Sequence, residues 1–285
     1  MEKLIWEVFL TAWLAPLRKI ETVSGALARY GQFPMIAALL AHNDTYVCTG
    51  TIVTMLHILT AAHCFFNVVP QNVAFGDVLL YPGKNYSNST RRISSIRSFV
   101  IHPDYQINST YENDIAIVQI AEPIVPSDVT QLVYICDEVP EVDQDCLSVG
   151  WDTDFIKRKD NQSIFLVFHQ ATIQPEDTCE SNVKHSSNTL CTEKKSGEYL
   201  GDSEGALICN KLLCGVLTNY KEDNKQYSFY VKVSLFKTWI VRNTYPGSFR
   251  TLSSRKKSRC LSEIHFLFKC YFIIIFRVWF WFNKY

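Results

Sequence analysis

Gly201-Asp202-Ser203-Glu204-Gly205 is the stretch on which the reading of this 285-residue chain turns. Alone, a serine between acidic residues and flanked by glycines reads as a polar turn between strands. Two other stretches change that reading: Leu59-Thr60-Ala61-Ala62-His63-Cys64 and Asn113-Asp114-Ile115-Ala116. Together the three supply a His, an Asp and a Ser, in that order, each in a distinctive local context. Nucleophilic acyl transfer needs these residue types. A serine hydroxyl is a poor nucleophile until a base takes its proton, and imidazole is the base available near neutral pH. A buried carboxylate holds the imidazole in one tautomer and stabilises the imidazolium.

The order His, Asp, Ser within these contexts resembles the chymotrypsin-family (trypsin-like) serine proteases. The resemblance runs from about Thr22 to about Asn243, most of the chain. It implies an all-β fold, two six-stranded antiparallel barrels with the site in the cleft between them, and a C-terminal helix. It also implies roles: His63 as general base, Asp114 as its orienting carboxylate and Ser203 as nucleophile. Gly201 and Ser203 would offer backbone N–H groups to the oxyanion. Asp202 would be the activation switch, captured by a freed N-terminal ammonium. The expected activity is that of a serine endopeptidase with an acyl-enzyme intermediate. A catalytically impaired homologue that acts by binding is the competing reading.

Composition agrees with that class. Lys plus Arg equals Asp plus Glu at 28 each, so there is no global attraction to nucleic acid, and no nucleic-acid partner is expected. The one short basic run is Arg255-Lys256-Lys257-Ser258-Arg259. Ten cysteines and five Asn-x-Ser/Thr sequons, at Asn43, Asn85, Asn88, Asn108 and Asn161, point to an oxidising compartment and a secreted chain. No C-x-x-C pair or His-rich cluster has metal-ligand spacing, so neither metal nor cofactor is expected. The partners are then a protein or peptide substrate and, as the resemblance implies, a protease inhibitor.

Residues 1–21 read as a signal or propeptide, although Glu7 interrupts the apolar run. The protease-like domain spans 22–246. Tyr30-Gly31-Gln32-Phe33-Pro34 and the apolar run 35–41 resemble the family's first core strand and the turn before it. Residues 66–95 read as surface loops. Ile101-His102-Pro103-Asp104-Tyr105 is another family-like stretch, with His102 a structural loop histidine. Residues 115–120 read as a buried strand with Gln119 its one polar position. Cys146 and Gly150-Trp151 resemble the opening of the second barrel. Residues 206–209 and 213–217 read as a strand pair turned by Asn210-Lys211, 229–233 as a strand, and 235–241 as helical in period. Residues 247–285 match nothing in the family. Their apolar stretch 266–282 contains Lys269 and Arg277 and is short for a span. A membrane anchor is the minority reading there, beside a disordered tail or a gene-model artefact.

The resemblance implies disulfides Cys48–Cys64, Cys146–Cys209 and Cys179–Cys191. Cys136 and Cys214 are left over, and sequence alone does not fix their partners. The chain also departs from the family pattern. Glu21-Thr22 stands where a basic residue and an aliphatic N-terminus are usual, and Lys19-Ile20 offers another cut. Glu204 replaces a glycine beside the nucleophile, Ala206 a proline, and Tyr199 a cysteine. Thr218-Asn219-Tyr220 replaces the usual Ser-Trp-Gly on the substrate-pairing strand. The specificity pocket is expected near Gly197, Thr218, Asn219, Tyr220 and Ser228, with its base at Gly197-Glu198. No Asp falls at that base, and Tyr220 and Ser228 would narrow the pocket. A small or medium apolar residue before the scissile bond is therefore expected.

Overall fold

The structure, a computed structural model, describes residues 26–80, 90–106, 112–152, 164–179, 187–193, 205–218 and 227–245. The strands are β1 (Ala26–Leu27), β2 (Ile36–Leu40), β3 (Tyr46–Thr54), β4 (His57–Thr60), β5 (Asn72–Phe75), β6 (Leu79–Leu80), β7 (Arg92–Ile101) and β8 (Ala116–Ile120). They continue with β9 (Asp145–Asp152), β10 (Ile164–Gln174), β11 (Thr189–Glu193), β12 (Ala206–Cys209), β13 (Leu212–Thr218) and β14 (Tyr227–Lys232). Two short helices, α1 (Glu176–Cys179) and α2 (Lys237–Thr244), complete the set with 3-10 turns at Ala62–Phe65 and Val233–Phe236.

The strands close into two six-membered antiparallel rings. The first runs β2-β3-β4-β8-β7-β5 and closes by pairing β5 with β2. The second runs β9-β10-β11-β14-β13-β12 and closes by pairing β12 with β9. Closure removes exposed strand edges and turns alternate side chains into each core. β2 shows the apolar consequence: Ile36, Ala37, Ala38, Leu39 and Leu40 are all buried. Gly50 lets two strands approach across that core, since a Cβ there would come within 2.7 Å of Leu39 Cδ1. β1 and β6 lie outside the first ring and pair with the long β10, which ties the first half of the chain to the second barrel.

Trp151 joins the barrels. It is buried, and its indole N–H donates to the carbonyl of Ala37 at 3.2 Å. The β12–β13 hairpin turns on Asn210 and Lys211, both at positive φ, 50° and 67°. That is the conformation a two-residue hairpin loop demands. α2 follows the 3-10 turn, and His102 lies against Phe236 and Trp239 at ring separations of 5.1 and 5.0 Å. Among the described residues, no helix is long and apolar enough to cross a membrane.

Three readings of the sequence change in detail. Residues 66–95 are not all loop: β5 lies there, as do β6 and the start of β7. Val73-Ala74-Phe75 is too short to show a period, and its burial comes from pairing on both edges. The last strand is Tyr227–Lys232, because Val233 already opens the 3-10 turn. The closing helix starts later, at Lys237, and runs to Thr244. Of the five sequons, only Asn43 is among the described residues, exposed in the turn between β2 and β3. The terminal segments 1–25 and 246–285 lie outside the described residues.

Candidate active site

His63 sits in the 3-10 turn Ala62–Phe65, directly after β4. Ala61 and Ala62 are fully buried, and only such small side chains let the turn press against the barrel end. Thr60 donates its hydroxyl to the carbonyl of Thr49 at 2.8 Å, and Cys64 is bonded to Cys48 on β3. The turn is thus held on both sides of the histidine.

Asp114 precedes β8 and is fully buried. Asn113 aims it inward from the left-handed region, at φ 56°, which Asn tolerates better than most residues. The Asn113 amide donates to the carbonyl of Asp104 at 2.9 Å and its oxygen accepts from the Asn188 amide at 2.9 Å. Asn188 leads into β11, so this contact spans the two barrels.

Three donors converge on the buried carboxylate. The His63 backbone N–H donates to Oδ1 at 2.9 Å. His63 Nδ1 meets Oδ2 at 2.6 Å, and the Thr218 hydroxyl donates to the same oxygen at 2.6 Å. A carboxylate can only accept, so Nδ1 must carry the proton. Nε2 is then left with its lone pair, the basic form of the ring. The His63 side chain is 15% exposed, so that nitrogen belongs to a partly open ring, whereas Asp114 is sealed. A charge this deeply buried is tolerated because it is fully hydrogen-bonded.

Thr218 ends β13. The sequence reading placed it among substrate contacts, and its side chain is engaged at Asp114. Ser228 is buried on β14, opposite Thr192 of β11. Gly205, the first described residue after the Ser203 stretch, accepts from the Leu217 N–H at 2.8 Å. A Cβ on Gly205 would lie 3.0 Å from the Val149 carbonyl, so glycine suits the close passage of the chain beside β9. Gly197, Gly201, Asp202, Ser203, Glu204, Asn219 and Tyr220 lie outside the described residues.

The structure pairs Cys48 with Cys64, Cys146 with Cys209 and Cys179 with Cys191. It also joins Cys136 to Cys214, which the sequence had left open. Thr218 and Asn188 are the site residues whose contacts the sequence did not disclose. Their partners are 104 and 75 residues away, and no local pattern reports such a contact.

Comparison with known proteins agrees with this architecture. The family model described as Trypsin matches residues 22–240. Mast cell protease 3 of Ovis aries is 25% identical over 245 residues, covering 82% of this chain and 94% of the relative. Kallikrein 1-related peptidase b24 of Mus musculus is 27% identical over 249 residues, covering 79% of this chain and 90% of the relative. Among solved structures, neuropsin, a serine protease expressed in the limbic system of mouse brain, matches with a TM-score of 0.65 and 23% identity. That match covers 77% of this chain and 98% of neuropsin and speaks for the fold.

Proposed function

The chain belongs to the trypsin family of serine proteases, and from that premise we propose that it is a secreted serine endopeptidase in which His63, Asp114 and Ser203 form the catalytic triad. The observation that carries this reading is the buried Asp114 carboxylate with its three donors, two from His63 and one from Thr218. It fixes the imidazole in the tautomer a general base requires.

In the proposed cycle Ser203 Oγ attacks the scissile carbonyl and its proton passes to His63 Nε2. The N–H groups of Gly201 and Ser203 stabilise the oxyanion. The imidazolium, held against Asp114, then protonates the leaving amine, and an acyl-enzyme forms. Water deacylates it by the same route in reverse. Residues 22–246 are the proposed catalytic unit, 1–21 a signal or propeptide, and 247–285 a tail outside it. Processing at Ile20 or Thr22 would free the ammonium that Asp202 captures. The partners are protein or peptide substrates and a regulatory inhibitor. The test is hydrolysis of a peptide pool, followed by mass spectrometry, by the processed protein and by its Ser203→Ala form. Cleavage confined to the wild type is expected; equal product patterns would remove the triad from the reaction.

Glu204 favours a second reading, an impaired protease homologue that binds without efficient turnover. A carboxylate directly after the nucleophile would occupy space a glycine leaves free, and within reach of His63 it would favour the imidazolium over the free base. Glu204→Gly is therefore expected to raise cleavage efficiency and to lower the pH midpoint of the limb reporting His63. If both stay unchanged, Glu204 is a bystander and this second reading rests on Glu21-Thr22 and the Thr218-Asn219-Tyr220 run alone.

A further inference from the structure

We infer that Thr192 and Ser228 form a neutral hydroxyl pair that recognises a side-chain carboxamide, Asn or Gln, in the residue before the scissile bond. The inference rests on the protease reading above and replaces the apolar preference expected from sequence.

The two residues face each other across the β11–β14 pairing. Side chains alternate along a strand, so Thr192 shares a face with Leu190, and Ser228 with Tyr230. Leu190 and Tyr230 belong to the interior cluster of the second barrel, together with Ile173, which pairs with Thr192 on its other side. The intervening Cys191 and Phe229 form a separate cluster with Tyr227 and Cys179. Thr192 and Ser228 therefore point into the barrel, one layer toward its mouth from Leu190 and Tyr230.

That mouth is where the site lies. β11 ends at Glu193 and leads into the stretch bearing Ser203, while β13 ends at Thr218, the residue bonded to Asp114. Thr218 pairs with Phe229, the neighbour of Ser228. Sheet spacing puts the Cα atoms of Ser228 and Thr218 on the order of 6 Å apart.

Thr192 is 1% exposed, and its hydroxyl has no hydrogen-bond partner. Proteins rarely leave such a group unpaired, because it gives up its water for nothing. The polar group one layer deeper is treated differently: the Tyr230 hydroxyl donates to Ser148 Oγ at 2.7 Å. Among the described residues of this barrel, the unpaired buried hydroxyl thus lies in the layer nearest the mouth, where Ser228 is also buried.

Each hydroxyl can donate and accept. A carboxamide offers one acceptor and two donors, so it can satisfy both at once. An apolar side chain would leave the Thr192 hydroxyl unpaired. A charged one would need a counter-charge, and the described charges on these strands are engaged or turned away. Lys232 bonds Glu176 at 2.5 Å and the Ser187 carbonyl, and Glu193 is exposed on the opposite face.

The experiment compares two otherwise identical peptides, with Gln or its near-isostere Met before the scissile bond. Their binding to the processed Ser203→Ala protein is measured, and the comparison is repeated with Thr192→Val, Thr192→Ser and Ser228→Ala added. The expected result is a preference for Gln of about tenfold or more. It should fall to about one with Thr192→Val, fall with Ser228→Ala, and survive with Thr192→Ser. Thr192→Val should also raise the thermal midpoint of the free protein, because it deletes an unpaired buried hydroxyl. No Gln preference, a preference untouched by Thr192→Val, or a lowered midpoint would overturn the inference. A dominant preference for Lys or Arg would overturn it too, and would point to Glu198 as the pocket base. Binding needs no turnover, so these outcomes stand apart from fluorophosphonate labelling of Ser203, which tests the protease reading itself.

Discussion

The two barrels have the same strand count and are held together differently. The first is packed by small and aliphatic side chains, among them Ala37, Ala38, Leu39, Ile52, Ile58, Leu59, Ala74 and Val118, all fully buried, and it has one disulfide. The second carries three disulfides among the described residues and seats large aromatics, Trp151, Phe229 and Tyr230, beside buried hydroxyls. The first barrel sets the base and the carboxylate by close packing, which tolerates little change. In the second, cross-links bear part of the constraint, so the segments between them can vary. Tyr199, Glu204, Ala206 and the Thr218-Asn219-Tyr220 run all lie in that second half, whereas the first barrel keeps its His63 and Asp114 contexts intact.

Breaking the first barrel's contribution should give the largest effect. Asp114→Asn leaves the shape but lets the imidazole take the wrong tautomer. A loss of about 10⁴-fold in kcat is expected, the size known for that change in the chymotrypsin triad. A loss under tenfold would mean that Asp114 does not orient the base.

The next effect probes the second barrel's reliance on cross-links. The Cys136–Cys214 bridge closes 78 residues and Cys48–Cys64 closes 16. Cys146–Cys209 already closes 63 of those 78 residues, so the longer bridge adds a loop of only 15, and chain entropy assigns about 3 kcal/mol to either bridge. Denaturant titration of the two double-alanine proteins should therefore show losses that agree within about 1 kcal/mol. A loss for Cys136/Cys214 well below that for Cys48/Cys64 would show that the second barrel does not lean on this cross-link.

Thr218→Val sharpens the comparison at the point where the barrels meet. It removes one donor from a buried carboxylate, which costs roughly 1.5–3 kcal/mol, or on the order of 10- to 100-fold in kcat. Thr218→Ser should restore most of it. Failure of the serine rescue would assign the loss to packing.

The smallest expected effect is a pH dependence lodged in the first barrel. His57 is buried beside Thr54, whose hydroxyl lies 2.8 Å from Nδ1, and burial lowers its pKa below the usual 6.5. The unfolded chain then binds a proton more readily than the folded one. Stability from this source is full above pH 6.5 and declines as pH falls toward the folded pKa. His102 shifts the same way by burial, opposed by Asp104. Denaturation curves at a series of pH values should be flatter below pH 6.5 for His57→Leu than for the wild type; parallel curves would exclude His57 as the source.

Legibility in the sequence followed the range of the interactions. The contexts of His63 and Asp114 could be read because a strand end, small buried residues and a neighbouring cysteine are all local. The barrels as a class came with those contexts. β5 escaped because four residues carry no period and are buried only by ring closure. β1 and β6 escaped for a similar reason: two residues each, defined solely by pairing with β10. The Thr218–Asp114 and Asn188–Asn113 contacts escaped because a side chain's distant partner leaves no mark near it. Thr192 carries no motif in the sequence, and only its burial without a partner distinguishes it.

The most direct test of the triad assignment is labelling with a fluorophosphonate, mapped by peptide mass spectrometry on protein processed at Ile20 or Thr22. A serine activated by His63 and Asp114 should be modified at Ser203 alone, with labelling abolished by His63→Ala. Folded, correctly processed protein that stays unlabelled at Ser203, or that labels equally well without His63, would contradict the account.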